Sequence, residues 1–513
     1  MLKKLKKLAF SRVFIVGLLI ALQFAVILVA SIQFRRFFIV YYFVSLILSL
    51  IFTLKILNTN QNIAYKLAWI VVILIFPIFG VSVYTIFCGN MISERQRKKM
   101  EMISTLTKPA LDDNQDVSAE LKKISSIAAK QTAYIKNATF CPPYKNSDTT
   151  YFPSGEELFK SMISEIEKAE KYIFLEYFII GYGEMWGKIY DILKRKVSEG
   201  VDVRVIYDDI GCITKLERDF AVKLEADGIK CKVFHRFIPV LSARQNNRDH
   251  RKICVIDGIC AFTGGINLAD EYINVIERFG YWKDNAVMVK GSAAWSFTVM
   301  FLSMWDYLCG KEQKDRGNYD IYRPSASVTE SFCGNGFVQP YTDNPLDGEP
   351  VGENVYIGMI EGARDYVWIT TPYLIIDEQM EQTLCRAVRS GVDVRIVTPA
   401  IPDKKIVFET TKSFYPNLIA KGIKIYEYTP GFIHGKTFIC DDKYATVGSV
   451  NLDYRSLYLH FECGLWMYKT DSIADIKKDM ENIFAESKYI TESKNRVTRQ
   501  VFRGVLELLA PLM

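Results

Sequence analysis

His250-Arg251-Lys252-Ile253-Cys254-Val255-Ile256-Asp257 returns 184 residues later as His434-Gly435-Lys436-Thr437-Phe438-Ile439-Cys440-Asp441. Each copy places Lys two residues and Asp seven residues after a histidine. At ordinary amino-acid frequencies that pattern falls beside a given histidine about once in 250 times, and this chain holds only four histidines. One copy alone would read as a strand with a solvated lysine and a histidine satisfied in the core. Two copies in a His-poor chain reverse that reading. The flanks agree, because Gly264-Gly265-Ile266-Asn267 and Gly448-Ser449-Val450-Asn451 follow their histidines at equal distance.

Ile253–Ile256 and Thr437–Cys440 read as buried strand runs, and strand alternation puts the His and Lys of each copy on one face. Each copy thus brings one imidazole and one cation to a common pocket. The glycine turns let backbone approach closely, and Asn267, Ser449 and Asn451 add uncharged donors. Such a set suits an anionic, tetrahedral oxygen cluster. His250, Lys252, Asp257, His434, Lys436 and Asp441 are the catalytic candidates, although the two aspartates are expected to tie turns rather than meet substrate. No further cluster of histidines and carboxylates has metal-ligand spacing, so neither metal nor other cofactor is expected.

The repeat extends beyond the motifs. Gly200-Val201-Asp202-Val203-Arg204-Val205 recurs as Gly391-Val392-Asp393-Val394-Arg395-Ile396, and Gly228-Ile229-Lys230 as Gly422-Ile423-Lys424. The first half carries about ten extra residues near Arg236–Asp249. Each half runs from a strand (Tyr172–Ile180; Tyr366–Ile375) through a helix, the Val-Asp-Val-Arg strand, a second helix and another strand to the motif strand. Alternating strands and helices predict an α/β fold. A duplicated unit packed about a pseudo-two-fold axis would set the two His/Lys pairs face to face.

Composition divides the chain in two. Residues 1–100 hold thirteen Lys/Arg and one acid, Glu94, so a total of +6 leaves −6 for the remainder, which argues against a nucleic-acid-wrapping surface. Three hydrophobic stretches, Val13–Phe34, Phe37–Leu54 and Leu67–Cys88, each approach the length of a membrane span. The first could also be a cleaved signal, but its length and the apolar run after Arg35-Arg36 favour an uncleaved anchor. The basic N-terminus and Arg95-x-Arg97-Lys98-Lys99 both call for the cytoplasmic side, so parity favours two spans over three. Eleven cysteines without a Cys-x-x-Cys pair read as free thiols in a reducing compartment. Val497, Val501, Val505, Leu508 and Leu512 line one face of a C-terminal helix, with Arg496, Arg499 and Arg503 on another. That helix either packs on the protein or rests on anionic lipid.

The paired motifs resemble those of the phospholipase D superfamily, and Thr446-Val447-Gly448-Ser449-Val450-Asn451-Leu452-Asp453-Tyr454-Arg455-Ser456 resembles its bacterial cardiolipin synthase branch. The resemblance implies two tandem phospholipase D-like domains with pseudo-two-fold symmetry, preceded by transmembrane helices. The expected layout is a membrane anchor over 1–92, a connector over 93–141, domains at 142–312 and 351–495 joined by a linker at 313–350, and the C-terminal helix at 496–513. It further implies a cell-membrane, multi-pass protein with cytoplasmic catalytic domains that acts on phosphatidylglycerol and other membrane phospholipids. One histidine attacks phosphorus to form a phosphohistidine and the other serves as acid and base; family precedent makes His250 the nucleophile and His434 the acid and base, while the symmetry leaves the two roles exchangeable. Glu462 matches the family carboxylate for the second histidine; Asp284, with Glu271 behind it, is expected to serve the first. Glu176 resembles a strand-end carboxylate near the pocket, and could equally be an exposed acid. The activity implied is cardiolipin synthesis from two phosphatidylglycerols. Alternatives are a phospholipase D, a phosphatidyltransferase using another headgroup, or a membrane-tethered nuclease.

Overall fold

The computed structural model describes residues 35–59, 62–87, 94–111, 115–236, 246–309, 316–491 and 497–512, with Ala25. Two compact units emerge: one holds the described residues up to Phe87 together with those from Leu508 onward, the other those from Glu94 to Glu507.

In the first unit the second apolar stretch forms the helix Arg35–Leu57, whose segment Ile39–Leu57 is long and apolar enough to cross a membrane. Ile39, Phe43, Ile47, Leu50 and Leu54 along it are more than half exposed, a surface that water does not favour. The stretch expected as one span at Leu67–Cys88 is instead broken into Ile63–Ile75 and Pro77–Phe87. Proline excludes the helical conformation from the residue before it and suits the first turn of a new helix, and Phe76 accordingly sits at φ −128°, ψ 76°. Ile56, Trp69, Ile73, Phe79, Val83 and Tyr84 form the core of this unit. The stretch Val13–Phe34 lies outside the described residues, apart from Ala25.

The second unit holds two sheets of matching topology. The first half supplies β1 (Ser147–Phe152), β2 (Tyr172–Tyr177), β3 (Asp202–Asp208), β4 (Lys230–Phe234), β5 (Arg248–Asp249), β6 (Lys252–Ile256), β7 (Cys260–Gly264), β8 (Tyr281–Lys283) and β9 (Ala286–Gly291). The second supplies β10 (Phe337–Asp343), β11 (Tyr366–Thr370), β12 (Asp393–Pro399), β13 (Lys424–Tyr428), β14 (Gly431–Ile433), β15 (Thr437–Cys440), β16 (Tyr444–Gly448), β17 (His460–Tyr468) and β18 (Ser487–Ile490). One sheet runs β1-β9-β7-β6-β2-β3-β4 and the other β10-β17-β16-β15-β11-β12-β13-β18. The strands that follow a helical crossover are parallel (β2-β3-β4; β11-β12-β13), and those joined by short turns are antiparallel. The sequence repeat is therefore a repeat of fold.

A continuous core joins the halves. Phe174, Val255, Ala261 and Val289 of one sheet and Ile439, Val447, Leu465 and Met467 of the other belong to one apolar cluster with the nearly buried helix Ala294–Cys309. The expected linker at 313–350 is not free of structure. Phe337, Val338 and Tyr341 are buried, and β10 lies antiparallel to β17 as an edge strand. The polar composition of the residues around this strand hid it. At the C-terminus, Arg503 is buried in an ion pair with Glu409 (3.2 Å) and Leu506 is buried, so this part of the helix packs on protein. The side chains of Arg496, Val497, Arg499 and Val501 lie outside the described residues.

Candidate active site

Two short parallel bridges between the halves build the centre. β5, just ahead of His250, pairs with the start of β17, aligning Arg248 with His460 and Asp249 with Phe461. β14, just ahead of His434, pairs with β8, aligning Phe432 with Trp282 and Ile433 with Lys283. Each register extends by one hydrogen bond, from His250 N–H to the Phe461 carbonyl (2.9 Å) and from His434 N–H to the Lys283 carbonyl (2.6 Å). One step further, each histidine meets a carboxylate from the opposite half. His250 Nδ1 lies 2.9 and 3.0 Å from the Glu462 oxygens, and His434 Nδ1 lies 2.6 Å from Asp284 Oδ2.

This corrects the expected pairing, which joined each carboxylate to the histidine of its own half. A two-residue bridge has no periodicity to betray it in sequence. The histidines also precede the strands expected to carry them, since β6 begins at Lys252 and β15 at Thr437. Glu271, the second choice after Asp284 for the carboxylate of His250, pairs instead with Lys215 at 2.5 Å.

With each Nδ1–H donated to a carboxylate, each Nε2 keeps its lone pair. Burial, and then the charges of Lys252 and Lys436, hold His250 well below the ordinary imidazole range. His434 is pushed down to about 4 by burial and Lys436, with Asp284 opposing. Burial favours the neutral acid at Asp284, but His434 and Lys436 outweigh it and hold its carboxyl below the usual range. Both lysines are nearly inaccessible, and burial pushes Lys252 down to about 8 and Lys436 to about 7. Their ammonium groups donate to the carbonyls of His250 and His434 respectively. The centre therefore offers two neutral imidazoles beside two closely held cations, an arrangement suited to a phosphate diester.

The motif aspartates stand apart from this chemistry. Asp257 accepts the N–H groups of Glu170, Lys171 and Tyr172 at 2.7–2.8 Å, and Asp441 those of Arg364, Asp365 and Tyr366 at 2.8–2.9 Å. Each anchors the entry of its half's central strand. The Ser449 hydroxyl bonds the Cys463 backbone, accepting at 3.0 Å and donating at 3.2 Å. Asn267 Oδ1 accepts from Ile179 N–H at 3.0 Å, and its side chain also hydrogen-bonds the Tyr272 hydroxyl. Asn451 Oδ1 is buried without a hydrogen bond. Glu176 is neither exposed nor at a pocket edge: it is fully buried and paired with Arg251 at 2.5 Å. Burial raises its carboxyl well above the usual range, with Arg251 opposing.

Two contributors went unread in the sequence. Ser456 donates to Glu462 Oε1 at 2.6 Å and so helps fix the carboxylate that holds His250; it lies in a quoted stretch, but nothing in its spacing points to Glu462. His460 has its ring centroid 5.5 Å from that of His250. Among the described residues, His250, His460 and Glu462 are the group whose ligand atoms lie close enough to hold a metal ion, all within 4.8 Å of one another.

Comparison with known proteins agrees with this geometry. A family model described as cardiolipin synthase, PLD-like domain, matches residues 162–305 and 356–485, and a phospholipase D-nuclease N-terminal model matches 47–87. An uncharacterized protein of Streptococcus mutans is 47% identical over 89% of this chain and 98% of its own length. Cardiolipin synthases of Geobacillus sp. (strain WCH70) and Alkalihalophilus pseudofirmus are 33% and 32% identical, over 88% of this chain and 90% of theirs. Among solved structures, a phosphatidylserine synthase of Haemophilus influenzae has the same fold, with a TM-score of 0.55 at 14% identity over 76% of this chain and 100% of its own. Tandem sheets of one topology, paired His-x-Lys motifs and these matches together make the chain a member of the cardiolipin synthase family of phospholipase D-like proteins.

Proposed function

We propose that this protein is a cardiolipin synthase, a phosphatidyltransferase that joins two phosphatidylglycerol molecules and releases glycerol. The observation that carries the reading is the pair of imidazoles, each oriented by a carboxylate of the other half and flanked by a buried lysine. His250 Nε2 attacks the phosphorus of the first lipid and the bond to the glycerol headgroup breaks; His434, which takes up a proton on Nε2 when the anionic phosphate binds beside it, passes that proton to the departing alkoxide. His434 then removes a proton from a hydroxyl of a second phosphatidylglycerol, which attacks phosphorus and frees His250. Lys252 and Lys436 hold the phosphoryl oxygens, with the amide of Asn267 beside them. Both imidazoles are held neutral; resemblance to the family assigns the nucleophile to His250, where Glu462 stabilises the cation that phosphorylation creates.

In the same reading, residues 142–312 and 351–495 form the catalytic halves, the second completed by β10. Residues 1–92 anchor them and 93–141 connect. Ile39–Leu57 makes one span and the helix pair Ile63–Ile75 and Pro77–Phe87 another. Two spans put the basic N-terminus and the Arg95–Lys99 cluster on the cytoplasmic side of the cell membrane, with the catalytic halves. Anchoring concentrates the lipid acceptor in the bilayer plane, which favours transfer over hydrolysis. The net −6 beyond residue 100 disfavours nucleic acid as substrate.

Purified protein in phosphatidylglycerol bilayers, with products weighed by mass spectrometry, tests the proposal. Cardiolipin and free glycerol should dominate, and added glycerol should drive the reverse reaction. Mainly phosphatidic acid would mean a hydrolase, and transfer only to another headgroup alcohol would mean a different phosphatidyltransferase.

A further inference from the structure

We propose that His250, His460 and Glu462 form a site for a zinc-like transition-metal ion that switches the catalytic centre off when filled. The inference depends on the transfer reading for its activity readout alone. Glu462 Oε1 lies 2.9 Å from His250 Nδ1 and 3.7 Å from His460 Nδ1, and the three ligand atoms are all within 4.8 Å of one another. A tetrahedral zinc with bonds of about 2.1 Å separates its ligands by roughly 3.4 Å, so the triangle needs only small side-chain shifts to close on an ion. Two imidazoles and a carboxylate are an ordinary zinc set, with a fourth position for water.

A second observation, independent of spacing, points to a missing partner. Both ring nitrogens of His460 are buried and hydrogen-bond to nothing. Glu462, which also accepts from Ser456 and His250, comes no nearer than 3.7 Å to His460 Nδ1, an ion-pair distance beyond a hydrogen bond. A buried polar atom left unsatisfied is costly, and His460 leaves two. His460 and Glu462 are two residues apart on β17 and so share the face toward His250.

The pseudo-symmetry supplies an internal control. The residue two before Asp284 is Trp282, an indole whose N–H lies 3.4 Å from Asp284 Oδ2 and whose ring packs beside His434. Indole nitrogen does not bind metal, so the site exists at one histidine only. Filling it would work against catalysis in a definite way. A metal on His250 Nδ1 displaces the proton now donated to Glu462, the ring takes its proton on Nε2, and the lone pair that attacks phosphorus is gone. The ammonium groups of Lys252 and Lys436 oppose a dication here, so binding should be that of a reversible inhibitor rather than of a structural zinc.

Equilibrium dialysis of the full-length protein in detergent against zinc chloride, without lipid, reads the site directly. Wild type should bind one zinc per chain, and His460→Phe should bind at least about tenfold more weakly. His460→Asn serves as a second variant if the phenylalanine disturbs folding. Zinc should inhibit transfer in phosphatidylglycerol vesicles, and the half-inhibiting concentration should rise at least about tenfold in the variant; comparing both proteins in the same vesicles cancels zinc held by lipid. Magnesium, which prefers oxygen ligands, should not inhibit. Equal zinc binding by wild type and variant, or none by wild type, overturns the site. Zinc bound without loss of transfer overturns the switch. Wild type that transfers nothing even without zinc refutes the functional reading instead, and the dialysis still decides whether zinc binds.

Discussion

Glu462→Gln keeps the shape of the side chain and removes the charge that holds the His250 tautomer. Because the carboxylates are exchanged between halves, this variant should resemble His250→Ala: trapped phosphohistidine should fall, and turnover should drop on the order of 10²–10⁴-fold. Asp284→Asn should instead resemble His434→Ala, with the proton-transfer steps slowed. Quench-flow trapping of the phosphoenzyme distinguishes the two, and the in-half pairing expected from sequence would interchange the phenotypes. The lysines set the alkaline limb. Lys436 loses its proton near pH 7 and Lys252 near pH 8, so kcat/KM should decline as pH rises through that range. Bound phosphate favours the charged lysines, so kcat should hold to higher pH. On the acid side His250 stays neutral well below the ordinary imidazole range, and activity should persist at pH values that protonate a surface histidine. An acid limb at an ordinary imidazole pKa would contradict this assignment.

At the scale of elements, what was legible followed periodicity and what was hidden did not. The buried runs Ile253–Ile256 and Thr437–Cys440 and the repeated Val-Asp-Val-Arg strands could be read because apolar alternation and duplication reinforce each other. The bridges β5–β17 and β8–β14 could not, since two or three residues carry no pattern, and β10 was masked by polar neighbours. The two histidines and two lysines were legible as a set; which carboxylate served which histidine was not, because that depends on how the sheets face. The aspartates at the ends of β6 and β15 belong here too. Asp257 and Asp441 adopt φ of 53° and 54° and each accepts three successive N–H groups. Removing one leaves charge-assisted bonds unmade, so Asp257→Ala should lower stability by about 2–4 kcal/mol, measured as a lower denaturation midpoint. Turnover per folded molecule should stay near normal. A large loss of kcat without loss of stability would place Asp257 in the chemistry after all.

For the whole molecule, the exchanged carboxylates make a divided protein an informative experiment. Neither half alone holds a complete His–carboxylate pair, so the chain cut between residues 316 and 330 and expressed as two pieces should be inactive singly and active when the pieces are made together. Mixing a piece bearing His250→Ala with a piece bearing His434→Ala should restore nothing, since both lesions fall in one centre. Activity from a single piece shown to be monomeric would refute the shared site. The exchange has a further consequence for how such a centre can vary. Any one-half version of it works only with a twin, and twins cut from one sequence must change together. Held in a single chain, the copies are released from that identity. Where one half has Arg251 locked to a buried Glu176, the other has Gly435, at which any side chain would strike Asn285; where one has Trp282 against its carboxylate, the other has His460. What began as symmetry has become a division of labour that two identical subunits could never have written.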